Sequence, residues 1–168
     1  MANVIMVNHI KRLLIVNRGE IARRIMRSAH NMGISTVAVY ADGDIAEPFV
    51  KEADQAVSLE GSSSLDTYLN HDKVLAAAKR TAADAIHPGY GFLSENKTFA
   101  AAVIEAGMIW VGPSPSAISQ MGDKLSSKKL MTEAGVPTLP SIEVVRGSNA
   151  AKLAVEIGYP LLVKASAG

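Results

Sequence analysis

Lys11-Arg12-Leu13-Leu14-Ile15-Val16-Asn17-Arg18-Gly19-Glu20-Ile21-Ala22-Arg23-Arg24-Ile25 is the stretch on which the reading of the fold turns. Residues 11–16 read as a short buried strand, and their continuous apolar run, 13–16, is the pattern of a strand covered on both faces. Asn17 to Glu20 then read as a tight turn, and the apolar spacing changes from a run to a helical period. Over residues 21–32, Ile21, Ala22, Ile25, Met26, Ala29 and Met32 fall on one stripe of a helix, and Arg23, Arg24 and Arg27 fall on the other side. Gly33 is the stop signal. Residues 35–40 supply a second strand.

The pattern repeats along the chain. Short strands are expected at 56–59, 83–86 and 108–111, with helices at 72–80 and 96–106 between and after them. Strands alternating with helices predict an α/β fold, a parallel sheet with helices on both faces. After Gly112-Pro113-Ser114-Pro115 the texture changes. A short helix to Met121 is followed by Asp123 as the N-cap of a helix through Ala134, which Gly135 and Pro137 end. A further helix at 149–157 stops at Gly158, and Leu161-Leu162-Val163 reads as an apolar strand closing on Lys164. The expected organisation is an extension over 1–10, a first domain over 11–122 and the start of a second over 123–168.

The 168 residues are 48% apolar and 20% charged, with 17 Lys and Arg against 16 Asp and Glu. That is the composition of an ordinary globular chain, and a net charge of +1 leaves no broad footprint for nucleic acid or anionic lipid. Charge is nonetheless uneven: the first forty residues hold six basic groups and one acidic, and the next thirty hold one basic and seven acidic. With no cysteine there is no thiol nucleophile, thiolate zinc site or disulfide framework. A reducing compartment, the cytoplasm or an organelle matrix, is the expectation. The four histidines, His9, His30, His71 and His87, are scattered without metal-ligand spacing, so no metal site is expected within the chain. Apolar runs such as 13–16 and 108–111 are far shorter than a membrane span.

Several motifs have competing readings. Strand, glycine turn and helix, with Asp42 just past the second strand, suggest a dinucleotide site, but the fingerprint needs three glycines and this turn has only Gly19. A structural turn is the stronger reading. No phosphate-binding P-loop and no G-x-S-x-G nucleophile motif occurs. The arginine stripe is either a solvated face or a protein interface, for which arginine's planar fork is suited. His87-Pro88-Gly89-Tyr90-Gly91-Phe92-Leu93-Ser94-Glu95-Asn96 follows a strand's carboxyl end, where open parallel sheets bind ligands, and its two glycines around a tyrosine would let backbone and ring approach one. The alternative is that they only shape a connection. Lys124, in the first turn of a helix, opposes the helix dipole, a conflict that a bound anion would relieve. Lys164 ends an apolar strand beside small residues. Each could be a surface lysine, and together they could clamp a phosphate.

Residues 11–25, residues 87–96, Met121-Gly122-Asp123-Lys124 and Gly158-Tyr159-Pro160-Leu161-Leu162-Val163-Lys164-Ala165-Ser166 closely resemble the N-terminal part of biotin carboxylases, above all the alpha subunits of acetyl-CoA and propionyl-CoA carboxylases. The resemblance runs in one order from about Lys11 to the end. It implies an ATP-grasp ligase in which ATP activates bicarbonate as carboxyphosphate and the carboxyl group passes to N1′ of biotin on a carrier domain. The implied fold is a Rossmann-like domain followed by the first part of the ATP-grasp domain. By the family's pattern Lys124 and Lys164 contact ATP, and Tyr90 and Gly91 lie at the biotin end of the site. Arg24 and Arg27 match a helix that helps to form the family's homodimer, although Asn31 stands where an acidic partner is common.

The resemblance further implies partners and missing parts. A biotin carboxyl carrier domain and a carboxyltransferase would work with the parent enzyme, and the choice of acyl-CoA would lie in the latter. The family continues past Lys164 into a glycine-rich loop, a lid, the Mg²⁺-binding acidic residues and the base for bicarbonate. The chain is therefore expected to be about the first third of a biotin carboxylase domain, to hold no catalytic residue and to be inactive alone. A noncatalytic dimerisation or interaction module of the same fold is the alternative from a different class. A nicotinamide-dependent oxidoreductase ranks last, because Gly19 stands alone.

Overall fold

The computed structural model describes residues 9–122 and 124–163, the side chains of 124–126 excepted. The chain divides into two compact units, residues 1–118 and 119–168. In the first, β1 (Arg12–Ile15), β2 (Ser35–Tyr40), β3 (Gln55–Ser58), β4 (Ala85–His87) and β5 (Ile109–Trp110) form one sheet in the order β3-β2-β1-β4-β5. All four pairings are parallel, with Leu14 opposite Val37 on one side and Ile86 on the other. The helices are α1 (Gly19–Asn31), α2 (Pro48–Glu52), α3 (His71–Arg80), α4 (Lys97–Glu105) and α5 (Pro115–Met121), which runs into the second unit. The expected α/β sheet is what forms.

Alternation along β1 explains the two-layered core. Successive side chains of a strand point to opposite faces, so Leu13 and Ile15 go one way and Leu14 and Val16 the other. Leu13 and Ile15 pack with Ile21, Ala22, Ile25, Met26 and Ala29 of α1 and with Phe49 of α2. Leu14 and Val16 pack with Val74 and Ala78 of α3, with Phe99 and Val103 of α4, and with Trp110. Because β1 is covered on both sides, residues 13–16 are nearly inaccessible, which is why the sequence runs apolar there without a polar break. Phe99 and Trp110 meet edge to face at 5.7 Å. Side-chain caps start α3 and α4: Asn70 Oδ1 accepts from Lys73 N at 3.1 Å and Asn96 Oδ1 from Phe99 N at 2.9 Å.

Three features depart from expectation. Met32 is 74% exposed, since the helix ends at Asn31 and the chain turns away through Gly33 at φ +73°. The five-residue α2, preceded by a 3₁₀ turn at Asp42–Asp44, has no counterpart in the sequence reading, because one turn gives no period and only Phe49 anchors it. Residues 161–163 form no strand: no partner ladder lies beside them among the described residues, and Leu162 and Val163 are exposed.

The second unit contains α6 (Lys124–Glu133) and α7 (Ala150–Ile157), the latter capped by Asn149 Oδ1 accepting from Lys152 N at 3.1 Å. No described residue after Ile118 is buried, so this unit has no enclosed apolar core among them. Asp123 as N-cap and the 1–8 part of the extension lie outside the described residues. No helix among the described residues is long and apolar enough to cross a membrane.

Candidate functional site

Strand order places the site. From β1 the chain moves to β2 on one side, while β4 and β5 lie on the other, so the connections leaving β1 and β4 diverge and open the carboxyl edge of the sheet between them. The turn Asn17 to Glu20 leaves β1 there, and the loop from His87 to Ser94 leaves β4 beside it. The two are joined first by backbone, Val16 N donating to His87 O at 3.0 Å.

Asn17 is 3% exposed and ties the two segments together. Its Nδ2 donates to Pro88 O at 2.7 Å and to Tyr90 O at 2.8 Å, and its Oδ1 accepts from Arg18 N at 2.9 Å. All its polar capacity except one lone pair is thereby engaged. His87 Nδ1 accepts from Gly89 N at 3.0 Å, so the neutral ring carries its proton on Nε2. Burial pushes the His87 pKa down and favours that neutral form.

Beyond Gly89 the loop presents Tyr90, 60% exposed, whose hydroxyl donates to Glu20 Oε1 in the first turn of α1. That hydrogen bond, then partial desolvation and the Glu20 charge, hold the phenol pKa above its ordinary value. Gly91 has φ +65° and open space where a side chain would project, with nothing within 4 Å. Phe92 also adopts a positive φ, +43°, and stacks on Tyr68 with ring centres 5.1 Å apart. Tyr68 in turn donates to Asp44 Oδ2 at 2.6 Å, and burial raises its phenol pKa far above the usual range. Arg18 reaches Asp44 at 3.5 Å, so the loops after β1, β2, β3 and β4 are linked side chain to side chain.

Asp42 is engaged elsewhere: its Oδ2 accepts from Gly61 N at 3.1 Å, closing the loops after β2 and β3. A ribose-binding role therefore finds its carboxylate already partnered. On α1, Arg23 is held by Glu52 of α2, with Nε to both carboxylate oxygens at 2.9 and 2.8 Å and Nη2 at 2.6 Å. Arg24 and Arg27 have no hydrogen-bond partner for their guanidinium groups among the described residues. Arg27 lines a shallow concavity of about 350 Å³ with Arg23, Met26, His30, Asn31 and Glu52.

The structure thus brings Tyr90 and Gly91 together with Asn17 and Glu20, whose sequence pattern alone indicates only a turn. Lys164 and the Lys124 side chain lie outside the described residues. Among the described residues no group of three or more His, Asp or Glu is gathered that could hold a metal ion.

A parallel sheet with an organised loop pair where its connections diverge defines an α/β domain of the doubly wound class, in which the carboxyl edge is the place where ligands bind. Comparison makes the class specific. Residues 9–118 match the model of the biotin carboxylase N-terminal domain, and residues 123–168 that of the carbamoyl-phosphate synthase L chain ATP-binding domain. The propionyl-CoA carboxylase alpha chain of Ruegeria pomeroyi is 48% identical over 159 residues, covering 94% of this chain and 23% of that protein. A biotin carboxylase of Halalkalibacterium halodurans is 46% identical over 160 residues, covering 94% and 35%. The biotin carboxylase domain dimer of Hydrogenobacter thermophilus 2-oxoglutarate carboxylase, solved with MgADP, ADP and bicarbonate, superposes with a TM-score of 0.82 at 45% identity over 95% of this chain and 35% of that one. The chain belongs to the biotin carboxylase N-terminal domain family. It spans from about a fifth to just over a third of the length of the relatives it matches.

Proposed function

We propose that the chain serves as the N-terminal part of a biotin carboxylase, the parent using ATP and bicarbonate to carboxylate biotin on a carrier domain as the first half-reaction of an acyl-CoA carboxylase. The observation that carries this reading is the loop pair at the carboxyl edge of β1 and β4, where an exposed Tyr90 and an open Gly91 are presented on a braced backbone. Open space beside Gly91, where a Cβ would meet nothing within 4 Å, supports the approach of biotin's ureido ring to this backbone. Residues 123–168 are the start of the ATP-grasp domain in this proposal, with Lys124 and Lys164 at the ATP phosphates and the Mg²⁺ ligands elsewhere in the parent. Arg24 and Arg27 contribute to a homodimer, a role supported by guanidinium groups that have no hydrogen-bond partner among the described residues.

Calorimetry tests the proposal. A charge-assisted contact to phosphate is worth about 1.5 to 3 kcal/mol, so Lys164→Ala in the full-length parent weakens ATP binding by about ten- to a hundredfold. Lys164→Arg restores it only in part, because a planar fork replaces a compact ammonium. The 168-residue chain alone binds ATP weakly. Micromolar ATP binding by the isolated chain, or undiminished binding by the Lys164→Ala parent, refutes the assignment.

A further inference from the structure

The geometry points to Asn17 and Glu20 as positioning residues for the biotin end of the site, Asn17 setting the backbone course of the loop after β4 and Glu20 setting the Tyr90 ring. This role rests on Tyr90 and Gly91 forming that end of the site.

A connection from β4 to α4 requires only a turn, yet this loop is moulded around one buried side chain. Two carbonyls two residues apart, Pro88 O and Tyr90 O, converge on the single Nδ2 of Asn17. Between them Gly89 adopts φ +67° and passes so close that a Cβ there would lie 2.8 Å from the same nitrogen. The carboxamide is thus the template against which the chain reverses, and it determines where Tyr90 and Gly91 emerge. Phe92, held at a positive φ, is the kind of conformation that persists only when its surroundings over-determine it. Here Asn17 fixes the chain on one side of it and the Tyr68 ring on the other.

Glu20 acts on the emerging side chain instead of on the backbone. One of its oxygens accepts from the Tyr90 hydroxyl, tethering an otherwise exposed ring to the first turn of α1. The two residues therefore control different degrees of freedom of one loop. Asn17, buried with both Nδ2 donors engaged on carbonyls, acts on the biotin end through the backbone it holds.

The test uses the full-length protein with free biotin as acceptor, together with amide hydrogen exchange on the 168-residue chain. Asn17→Asp keeps the shape but turns an oxygen toward the two carbonyls in place of the donating nitrogen. The expected result is a biotin KM raised at least tenfold, an ATP KM within twofold of the original, and exchange of the hydrogen-bonded amides of Gly89 and Ser94 accelerated at least tenfold with α3 unchanged. Glu20→Ala and Tyr90→Phe each raise the biotin KM, and the double variant raises it no further than the larger single change, as shared action through one contact requires. That cycle also carries the proposal if Asn17→Asp does not fold. An unmoved biotin KM in both the Asn17 variant and the cycle, or equal rises in the biotin and ATP KM values, overturns the positioning role. Absence of any biotin-dependent turnover by the unmutated full-length protein overturns instead the function on which that role rests.

Discussion

Replacing Gly89 with alanine tests the packing of the site directly, and Gly91 two residues on is the internal control. Both glycines have nearly the same positive φ, +67° and +65°. An L-residue in that region costs about 1 to 2 kcal/mol, so this part of the penalty is common to the two substitutions. They differ in what the new methyl group meets. At Gly89 it falls 2.8 Å from Asn17 Nδ2 and 3.2 Å from both Asn17 Cγ and Ile21 Cγ1, whereas at Gly91 nothing lies within 4 Å. Asn17 cannot yield without leaving its carbonyls, and a buried polar group stripped of a partner costs about 1 to 3 kcal/mol. Gly89→Ala is therefore expected to destabilise the first unit by about 2 to 5 kcal/mol and Gly91→Ala by about 1 to 2. Urea unfolding followed by the fluorescence of Trp110, the one tryptophan and 8% exposed in the core, reads the difference. With a denaturant slope of about 1 to 3 kcal/mol per molar, the midpoints separate by on the order of 1 M. Equal midpoint shifts in the two variants refute the role given to Asn17 as the loop's template.

Asp54 accepts from Thr36 N at 2.7 Å, from Thr36 Oγ1 at 2.9 Å and from His30 Nε2 at 3.0 Å, and its pKa is lowered chiefly by the Thr36 backbone bond, then by the Thr36 hydroxyl. A carboxyl group depressed in the folded state stabilises above its unfolded pKa of about 3.9 and loses that effect as pH falls through the folded value. Asp54→Asn should thus lower the urea midpoint at pH 7, with the gap closing below the ordinary carboxylate range, and a gap that persists in acid argues against the assignment. Arg27→Glu in the full-length parent should weaken self-association in analytical ultracentrifugation if the guanidinium meets a carboxylate across a two-fold axis. An unchanged dimer at micromolar concentration returns the arginine stripe to a solvated face. A chain ending at Gly122 should be more soluble than the 168-residue chain, because no described residue after Ile118 is buried and several apolar side chains there, among them Leu139 and Val155, stand exposed. Equal solubility by light scattering counts against this.

Residues 11–40 were legible because the change from an apolar run to a helical period falls within a few positions, and a two-faced sheet forces both patterns. The α2 helix was not, since its single buried anchor, Phe49, leaves no periodic trace. Leu161 to Val163 misled for the opposite reason. Composition marks a residue's preference for burial, but a parallel strand exists only where another strand receives its backbone groups. At the site, the glycines around Tyr90 were visible as a loop able to approach a ligand. Their brace was not, because Asn17 and Tyr90 are 73 residues apart and only the β1–β4 pairing makes them neighbours.

That brace also explains why a dinucleotide fold need not bind a dinucleotide. In the fingerprint turn, glycines leave backbone amides open so that a pyrophosphate can approach the start of the first helix. Here the corresponding turn begins with Asn17, whose Oδ1 accepts from the Arg18 amide and whose Nδ2 holds the loop after β4. The acidic residue past β2 is engaged too, Asp42 receiving Gly61 N in place of a ribose hydroxyl. The Arg18 amide and one Asp42 oxygen are thus spent on fixing neighbouring loops. The carboxyl edge of β1 and β4 accordingly works as a mount for the His87 to Ser94 loop, fixed through the one carboxamide that joins the turn after β1 to the loop after β4.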